Sequence, residues 1–573
     1  MKIRLNKILN IRSILILIAL FALTVNIAFS QELFMPVSDV KPGMRGIGKT
    51  VFHGTEIKNF GVEIIDVISG ENNISEFILA RLNGERLEEN GGISGGMSGS
   101  PVYVNDKLIG AISYGWELSE HDLCLITPIE EMLKLFSLPY GYKLTKSKIY
   151  KVNNSIDFNG KKIGKIIVKN RGNTKDCNVT NLANKGEIIF YPVVSPLTVT
   201  GLTGRSFNKL SEKIGNYNLR VVQGFNHLNK SKFQEIGESS LNKIEGGSAI
   251  GIQLTRGDVN ICSIGTVTYR EGNKILALGH PFLKKGETSY LLSSIYIYHS
   301  LPNMIMPFKI GSPLNLIGKV IQDREAGIAA MLNSYPRVIP LKIKVENINS
   351  EENYQMGVQI VDDYQLLETF VSNIALQAID NALDRIGAGS AQIEIKIRGM
   401  EDGQEFFRKN MYCSLEDIAV QTISEIPEII NLIIHNYFKK VNLTEININI
   451  RIDNKIKWGK IEEVKIEETD LKPGDLLKAE VKIRAFRGDL IKKLISIKIP
   501  SDIQGGEATL IVKGGKSEYI SEEEEYFDSE KDNYKSLEEA FKDISDRTRN
   551  NQLVGEIITY CNEIPKEKKI DGD

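Results

Sequence analysis

The sequence predicts a mostly β protein with α+β additions, and three observations support this prediction. Residues 31–140 and 245–345 consist of short alternating apolar runs separated by glycine-rich turns, a pattern typical of β-barrels. Residues 346–456 instead have apolar residues at helical spacing next to alternating runs, as in an α+β module. The chain of 573 residues is too long for one hydrophobic core, and its length suggests about three or four domains.

The first 30 residues have the composition of a secretory signal peptide. Four basic residues flank the start of an apolar run at residues 14–27, and Ala28 and Ser30 provide a small-residue cleavage site before Gln31. An uncleaved N-terminal anchor is the competing interpretation. No later apolar run approaches the roughly 20 residues that a membrane span needs. We therefore expect no transmembrane span after signal removal, and a protein that is periplasmic, surface-associated or secreted.

Charge and cysteine content exclude several classes of function. The chain has 71 Lys and Arg against 73 Asp and Glu. Residues 1–30 hold four of the basic residues and no acidic one, so the mature chain carries a net charge of about −6, which argues against nucleic acid as a partner. The five cysteines lack C-x-x-C spacing and predict core thiols. No P-loop, H-E-x-x-H motif or cysteine cluster indicates a cofactor or metal.

The most informative motif is the glycine-rich turn around Ser98. Residues 91–100 read GGISGGMSGS and lead into two alternating runs, Val102–Val104 and Leu108–Tyr114, which predict a β-hairpin. A serine hydroxyl becomes a good nucleophile when a neighbouring base takes its proton, and the resulting oxyanion needs backbone N–H donors. Glycine at position 96 would let its N–H and that of Ser98 converge. An ordinary surface serine on a glycine-rich turn is the alternative.

A second motif places a histidine at the end of a strand. Three runs predict strands at Ala249–Leu254, Asn260–Tyr269 and Lys274–Leu278, and the last run leads into Gly279-His280-Pro281. The neighbouring proline restricts the backbone, so the imidazole can be aimed from the strand end. A histidine that is simply hydrogen-bonded at a barrel rim is the alternative interpretation.

Both motifs resemble segments of one peptidase family. GMSGSPVYVNDKLIGAISYG resembles the active-site segment of the SpoIVB-type serine peptidases, and GTVTYREGNKILALGHPF resembles the segment that carries their catalytic histidine. The resemblance covers roughly residues 35–135 and 245–335, and it implies a chymotrypsin-like double β-barrel, split here by an insertion. The site residues that it implies are Ser98 as nucleophile, His280 as general base and acid, Gly96 and Ser98 as the oxyanion hole, and Ser113, Tyr114 and Gly115 as the substrate-binding strand.

Two features depart from the pattern of this family. In the family the histidine segment precedes the serine segment, whereas here Ser98 comes first, so the order is permuted. The acidic residue of the family lies shortly before its serine motif, but the region around Asn83 has no aspartate. Asp323 is our candidate for the third member of a triad, because it follows His280 in the same half-barrel; a Ser–His dyad is the alternative. The other carboxylates considered are Asp258, Glu63, Asp66 and Glu85.

The rest of the chain predicts accessory modules without chemistry of their own. Asp363–Ile386 and Ser414–Lys440 are predicted helices, the second kinked by Pro427. His53, Arg205 and His227 are expected at the surface. The predicted divisions are a signal peptide at 1–30, a serine-bearing half-barrel at 31–140, an inserted α/β segment at 141–244, a histidine-bearing half-barrel at 245–345, an α+β module at 346–456, a β-sandwich-like module at 457–516, and a charged tail with a short helix at 517–573.

These observations together predict an exported serine endopeptidase that cleaves an envelope or secreted protein through an acyl-enzyme on Ser98. Its partner would be a protein or peptide substrate, it would need no cofactor, and its oligomeric state is left open. The alternative is a catalytically inactive relative that acts as an envelope binding or scaffolding protein, which the missing aspartate near Asn83 and the large accessory half favour. A weaker alternative is a peptidase that processes only itself.

Overall fold

The structure is a computed structural model, and it does not describe every residue. The predicted signal peptide, His227 and the cysteines Cys177 and Cys561 lie outside the described residues. Within the described part of the chain, no helix has the length and apolar character needed to cross a membrane. The described residues are 33–70, 74, 76–116, 121–137, 149–158, 161–169, 187–215, 219–224, 244–303, 305–350, 352–399, 405–503, 505–515 and 534–559.

The first six strands form a closed antiparallel barrel, called here the serine barrel. Along its second strand the even-numbered residues from Phe60 to Ile68 are buried and the odd-numbered ones are not, as expected for a strand with one face in a core. The elements are β1 (Arg45–Val51), β2 (Ile57–Gly70), β3 (Glu76–Asn83), α1 (Glu85–Glu89), β4 (Pro101–Val104), β5 (Lys107–Trp116), β6 (Leu123–Pro128) and α2 (Ile129–Leu133). The strands pair in the order β1-β2-β3-β6-β5-β4, and β4 pairs again with β1.

Three further strands extend this sheet and return to its barrel. They are β7 (Ile149–Phe158), β8 (Lys161–Val168) and β9 (Glu187–Pro192). β7 pairs with the end of β2, and β8 forms a hairpin with β7. β9 runs parallel to β8 and, on its other edge, antiparallel to the end of β5. The first part of the predicted insertion therefore adds to the serine barrel.

Six later strands close a second antiparallel barrel, called here the histidine barrel. Two short strands and a helix precede it: β10 (Leu197–Thr200), α3 (Gly204–Gly215) and β11 (Val221–Gln223). The barrel strands are β12 (Ala249–Gly257), β13 (Asn260–Glu271), β14 (Lys274–Ala277), β15 (Gly286–Leu301), β16 (Phe308–Arg324) and β17 (Gly327–Leu332). They pair in the order β12-β13-β14-β17-β16-β15, and β15 pairs again with β12. This is the strand order of the serine barrel, and the predicted double β-barrel is confirmed.

The sheet of the histidine barrel continues into an α+β module, because β12 also pairs with one of that module's strands. The long first helix of the module is buried from Thr369 to Ile379, since it packs between the sheet and the other helices. The elements are β18 (Val338–Asn347), β19 (Glu352–Val361), α4 (Leu367–Leu383), β20 (Gly389–Gly399), β21 (Glu405–Ser414), α5 (Ile418–Thr422), α6 (Ile426–His435) and β22 (Leu443–Asp453). The strand that pairs with β12 is β19.

The stretch predicted as one kinked helix at Ser414–Lys440 is two helices, so that prediction was wrong. Asp417 caps α5, because its carboxylate accepts a hydrogen bond from the N–H of Val420 at 3.2 Å. Pro427 lies in the first turn of α6. Proline lacks an N–H and is tolerated in a first turn, so here it starts a helix instead of kinking one.

Arg205, which was expected at the surface, is half-buried and links helices. Its guanidinium at the start of α3 pairs with Asp380 on α4 and with Asp417, the cap of α5. Both carboxylates raise the pKa of Arg205 by hydrogen bonding. The side chain is therefore structural, and it fastens α3 to the α+β module.

Two small sheets follow at the C-terminal end. Their apolar faces share one cluster that includes Val481, Ile497, Leu510 and Ile557, which is the packing of a small sandwich. The elements are β23 (Gly459–Ile466), β24 (Leu476–Ala485), β25 (Leu490–Lys498), β26 (Ala508–Gly514), α7 (Leu537–Asp546) and β27 (Leu553–Thr559). The predicted tail thus supplies the expected short helix and also one strand, β27, which pairs with β26.

Candidate active site

Ser98 lies in the connection between the third and fourth strands of the serine barrel. The turn is held by glycines in the left-handed region, Gly96 at φ +96° and Gly99 at φ +89°. The N–H of Gly99 donates to the carbonyl of Ile112 on β5 at 2.8 Å. On its other side the carbonyl of Ser98 accepts a hydrogen bond from the N–H of Thr266, on β13 of the histidine barrel, at 2.9 Å. The serine turn is therefore wedged between the two barrels.

His280 lies in the corresponding connection of the histidine barrel, between its third and fourth strands. Leu278 and Gly279 both have positive φ, 70° and 69°, and turn the chain after β14. The N–H of Leu278 donates to the carbonyl of Thr266 at 3.4 Å, and the carbonyl of Gly279 accepts from the hydroxyl of Thr127 on β6 at 2.6 Å. Both loops are thus anchored on Thr266 and on two neighbouring strands of the serine barrel, β5 and β6.

The reactive atoms of both residues are buried without hydrogen-bond partners. Within the described part of the chain, neither the hydroxyl oxygen of Ser98 nor Nε2 of His280 has a partner, and the two are not hydrogen-bonded to each other. Burying an unpaired polar atom typically costs about 1–3 kcal/mol, so such atoms call for an explanation. Catalytic hydrogen bonds are often loose in unliganded enzymes. A site that forms only when substrate enters is one such explanation.

The environment of His280 keeps its ring neutral with a defined tautomer. Burial lowers the pKa of His280 to about 4, although the carbonyls of Pro281 and Val193 act in the opposite direction. Nδ1 lies 2.8 Å from the carbonyl oxygen of Pro281, which can only accept, so Nδ1 carries the proton. Nε2 is then the unprotonated nitrogen that a general base requires.

Asp323 lies at the end of β16 and is brought to the loop that follows His280. Its fully buried carboxylate accepts hydrogen bonds from the N–H groups of Phe282 at 2.8 Å and Leu283 at 2.7 Å. Burial raises the pKa of Asp323 against the effect of these donors. The carboxylate therefore holds the backbone of the histidine loop, while Nδ1 of His280 is bonded to Pro281.

The other carboxylates considered have partners or positions of their own. Asp258 accepts a hydrogen bond from the N–H of Gly357 at 2.7 Å, and one oxygen of Asp66 accepts from the N–H of Val67. Glu63 pairs across strands with Arg45 and Arg81 in the sheet register, and Glu85 begins α1. His53 is exposed beside Tyr296, as expected of a surface residue.

The two proposed oxyanion-hole donors are not used elsewhere. Among the hydrogen bonds of the described residues, none takes the N–H of Gly96 or of Ser98 as donor. The carbonyls of the same two residues are both held by Thr266, whose hydroxyl donates to Gly96 at 2.8 Å and whose N–H donates to Ser98. The turn is therefore fixed through its carbonyls while two N–H groups stay free.

The predicted substrate-binding strand is already paired. Ser113, Tyr114 and Gly115 lie at the end of β5, and β9 runs antiparallel to them, with Gly115 opposite Tyr191. The N–H of Val193 donates to the carbonyl of Ser113 at 2.9 Å. A segment of the chain itself thus occupies this edge.

Sequence reasoning missed one buried lysine beside the serine turn. Lys309 on β16 is 1% exposed, and its stem packs near Gly96, where a Cβ would come within 3.2 Å of it. Its Nζ donates to the hydroxyl of Thr50 at 2.7 Å, and burial lowers its pKa to about 7. The signal available in the sequence was its place next to Phe308 at the start of an apolar strand. Over the described residues no group of side chains is arranged to hold a metal ion.

The chain has two closed barrels of the same strand order, and a serine and a histidine lie on loops that meet between them. This is the architecture of the chymotrypsin-like double-barrel proteins. The family model described as SpoIVB peptidase S55 matches residues 24–124 of the chain. The match includes Ser98 and the whole of β5, ends before His280, and bears out the resemblance to SpoIVB-type serine peptidases. It supports a peptidase of the serine type. No curated protein and no solved structure matches the chain.

Proposed function

We propose that the protein is an exported serine endopeptidase that cleaves an envelope or secreted protein through an acyl-enzyme on Ser98. The observation that supports this most is the pair of unpartnered buried atoms, the Ser98 hydroxyl oxygen and Nε2 of His280. They lie on equivalent loops of two barrels, and both loops are anchored on Thr266. The signal-like N-terminus motivates export, and the family match motivates a protein substrate.

The proposed residues carry out the reaction in two steps, acylation and deacylation. Ser98 attacks the carbonyl carbon of the substrate while Nε2 of His280 takes the hydroxyl proton. The N–H groups of Gly96 and Ser98 stabilise the resulting oxyanion. When the C–N bond breaks, His280 gives the proton to the leaving amine. Water then attacks the ester, with His280 again as base, and releases the acid product and free Ser98.

Asp323 enters this proposal as the residue that positions the histidine loop. Its carboxylate binds two backbone N–H groups just after His280. The carbonyl of Pro281 supplies the acceptor for Nδ1 that an aspartate supplies in a Ser–His–Asp triad. The chemistry at the substrate would then be that of a Ser–His dyad, with Asp323 acting through the loop.

An inactive binding or scaffolding protein is the second candidate function. Two observations favour it: no carboxylate is bonded to His280 in the described structure, and the strand that would bind substrate is paired with β9. A fluorophosphonate probe separates the two candidates because it labels an activated serine. We expect label on the wild type after prolonged incubation, and none on Ser98→Ala or His280→Ala.

Ser100→Ala is the matched control for this experiment. Ser100 is also fully buried with an unpartnered hydroxyl, two residues from Ser98, so its loss should leave the label in place. Circular dichroism and the thermal midpoint would establish that each variant is folded. Equal labelling of the Ser98→Ala variant would contradict the assignment of the nucleophile.

A further inference from the structure

The segment from Phe190 to Ser195 crosses from the serine barrel to the histidine barrel beside the serine turn. On the serine barrel it pairs antiparallel with the end of β5, with Trp116 opposite Phe190 and Gly115 opposite Tyr191. On the histidine barrel the carbonyl of Ser195 accepts a hydrogen bond from the hydroxyl of Ser263 at 3.1 Å. The segment is thus held by both barrels.

The segment pairs with β5 as an added strand, which is how an extended peptide would bind at this edge. An extended peptide that adds to a sheet edge forms main-chain hydrogen bonds and inserts alternate side chains into pockets. Here the N–H of Val193 donates to the carbonyl of Ser113, and the following residue, Val194, lies against the serine turn, where a Cβ on Gly95 would come within 2.7 Å of its carbonyl oxygen. Val193 therefore stands where the residue before a cleaved bond would stand.

The side chain of Val193 fills an apolar socket in the serine barrel. It is fully buried in the cluster that includes Ile93, Met97 and Met306. The wall of the socket is Gly115, where an added Cβ would lie 3.2 Å from Cγ2 of Val193. The socket is apolar and narrow, so it suits a small aliphatic side chain.

The carbonyl of Val193 is not arranged for attack. In the described structure no hydrogen bond joins it to the N–H of Gly96 or Ser98, the two proposed oxyanion donors. It raises the pKa of His280, but it forms no hydrogen bond with Nε2 in the described structure. A carbonyl that the oxyanion donors do not polarise reacts slowly, so a segment bound in this way blocks the cleft and is not consumed.

We propose that residues 190–195 are a built-in, substrate-like occupant of the substrate-binding site of the peptidase. While the segment is bound, the site is closed to other substrates. Its sequence indicates that the site accepts an extended peptide with a small aliphatic residue before the cleaved bond. This inference rests on the proposed function, because it assigns the substrate strand and regulation of that site. External substrates must displace Phe190–Ser195 before they reach Ser98.

The first test measures the rate of fluorophosphonate labelling after the occupant is weakened. Val193→Asp puts a charge into the apolar socket, and we expect labelling of Ser98 to become at least tenfold faster than in the wild type. Val420→Asp is the matched control, because it makes the same substitution at an exposed valine on α5 of the α+β module, outside the segment and the socket. Its labelling rate should stay within about twofold of the wild type. Equal rates for both variants would overturn the inference.

The second test does not depend on catalysis. Hydrogen–deuterium exchange in the Ser98→Ala background would follow residues 110–116 and 187–196, and Val193→Asp should raise exchange in both. Adding the synthetic peptide acetyl-FYPVVS-amide, which copies residues 190–195, should restore protection of residues 110–116. If Val193→Asp does not fold, Val193→Ala with the same peptide as competitor serves instead, with a smaller rise in exchange.

The two tests separate the failure of this inference from the failure of the peptidase proposal. Suppose that Val193→Asp raises hydrogen exchange and the peptide reverses the rise, but no folded variant that carries Ser98 is labelled. This result would support the occupant and reject the peptidase. Unchanged exchange in Val193→Asp would overturn the occupant whatever the labelling. An intact-mass product from a Ser98-dependent cut after Val193 would overturn the closed state, because the segment would then be a substrate.

Discussion

Gly99 lies where the backbone of the serine turn packs directly against the backbone of the histidine barrel. A Cβ at this position would lie 2.0 Å from the carbonyl oxygen of Thr266 and 2.4 Å from the backbone nitrogen of Leu278, both in backbone that cannot move by itself. Gly99→Ala would therefore force the two barrels apart by more than an ångström. The residue also has φ +89°, which alanine adopts only with strain.

The cost of Gly99→Ala follows from the hydrogen bonds that such a shift would break. Two are the contacts of Thr266 with Gly96 and Ser98, and a third is the bond from the hydroxyl of Thr268 to the carbonyl of Gly99 at 2.8 Å. Each is worth about 1 kcal/mol, and the positive φ adds about 1–2 kcal/mol. We expect a total loss of about 4–5 kcal/mol in the free energy of unfolding, comparable to the whole stability of many domains.

The assay follows unfolding of the serine barrel by fluorescence. Trp116 lies at the end of β5, and Trp458→Phe would remove the second of the two tryptophans, so that the signal reports on this barrel alone. Gly43→Ala is the matched control: Gly43 has φ +83° but nothing within 4 Å of an added Cβ, so it should lose only the strain of about 1–2 kcal/mol. A urea midpoint for Gly99→Ala no lower than that of Gly43→Ala would refute the close approach of the barrels.

Two further predictions concern buried charged groups. Burial lowers the pKa of Lys309 from 10.5 to about 7, so between these pH values the unfolded chain binds the additional proton and stability rises with pH, by up to about 1.4 kcal/mol per pH unit. Lys309→Met should remove this rise in urea melts between pH 7 and 10, and parallel slopes would contradict it. Asp323→Asn keeps one acceptor for the two N–H groups of Phe282 and Leu283, so it should cost about 2–3 kcal/mol and slow labelling of Ser98. Asp258→Asn, at a more exposed turn, is its control and should change neither quantity appreciably.

Short-range patterns predicted the elements that carry the proposed site. The alternation at Val102–Val104 and Leu108–Tyr114 is the hairpin β4–β5, and the three runs from Ala249 to Leu278 are β12, β13 and β14. These elements are fixed by neighbours a few residues away, through turn residues and strict alternation. For the same reason the positions of Ser98 and His280 at the strand connections could be predicted.

Contacts between distant segments could not be predicted from the sequence. The pairing of β9 with Gly115 joins residues far apart in the chain, and nothing in the local pattern of Phe190–Val193 distinguishes a strand in a cleft from one in a core. Lys309 would ordinarily be assigned to the surface, because burying a lysine is costly and its partner, Thr50, comes from the other barrel. Asp323 was predicted to lie near His280, but its backbone partners depend on how the loop folds.

The identical strand order of the two barrels explains how the serine can precede the histidine. Each residue lies between the third and fourth strands of its own barrel. When two such barrels pack with these loops facing each other, the two loops come together in the same way whichever barrel comes first in the chain. Catalysis depends on that geometry and not on chain order. In this chain a carboxylate that supports the histidine loop is found in the histidine barrel itself. That carboxylate is Asp323, at the end of the fifth strand beside the loop of His280, so the absence of an aspartate near Asn83 does not leave the histidine loop without a supporting carboxylate.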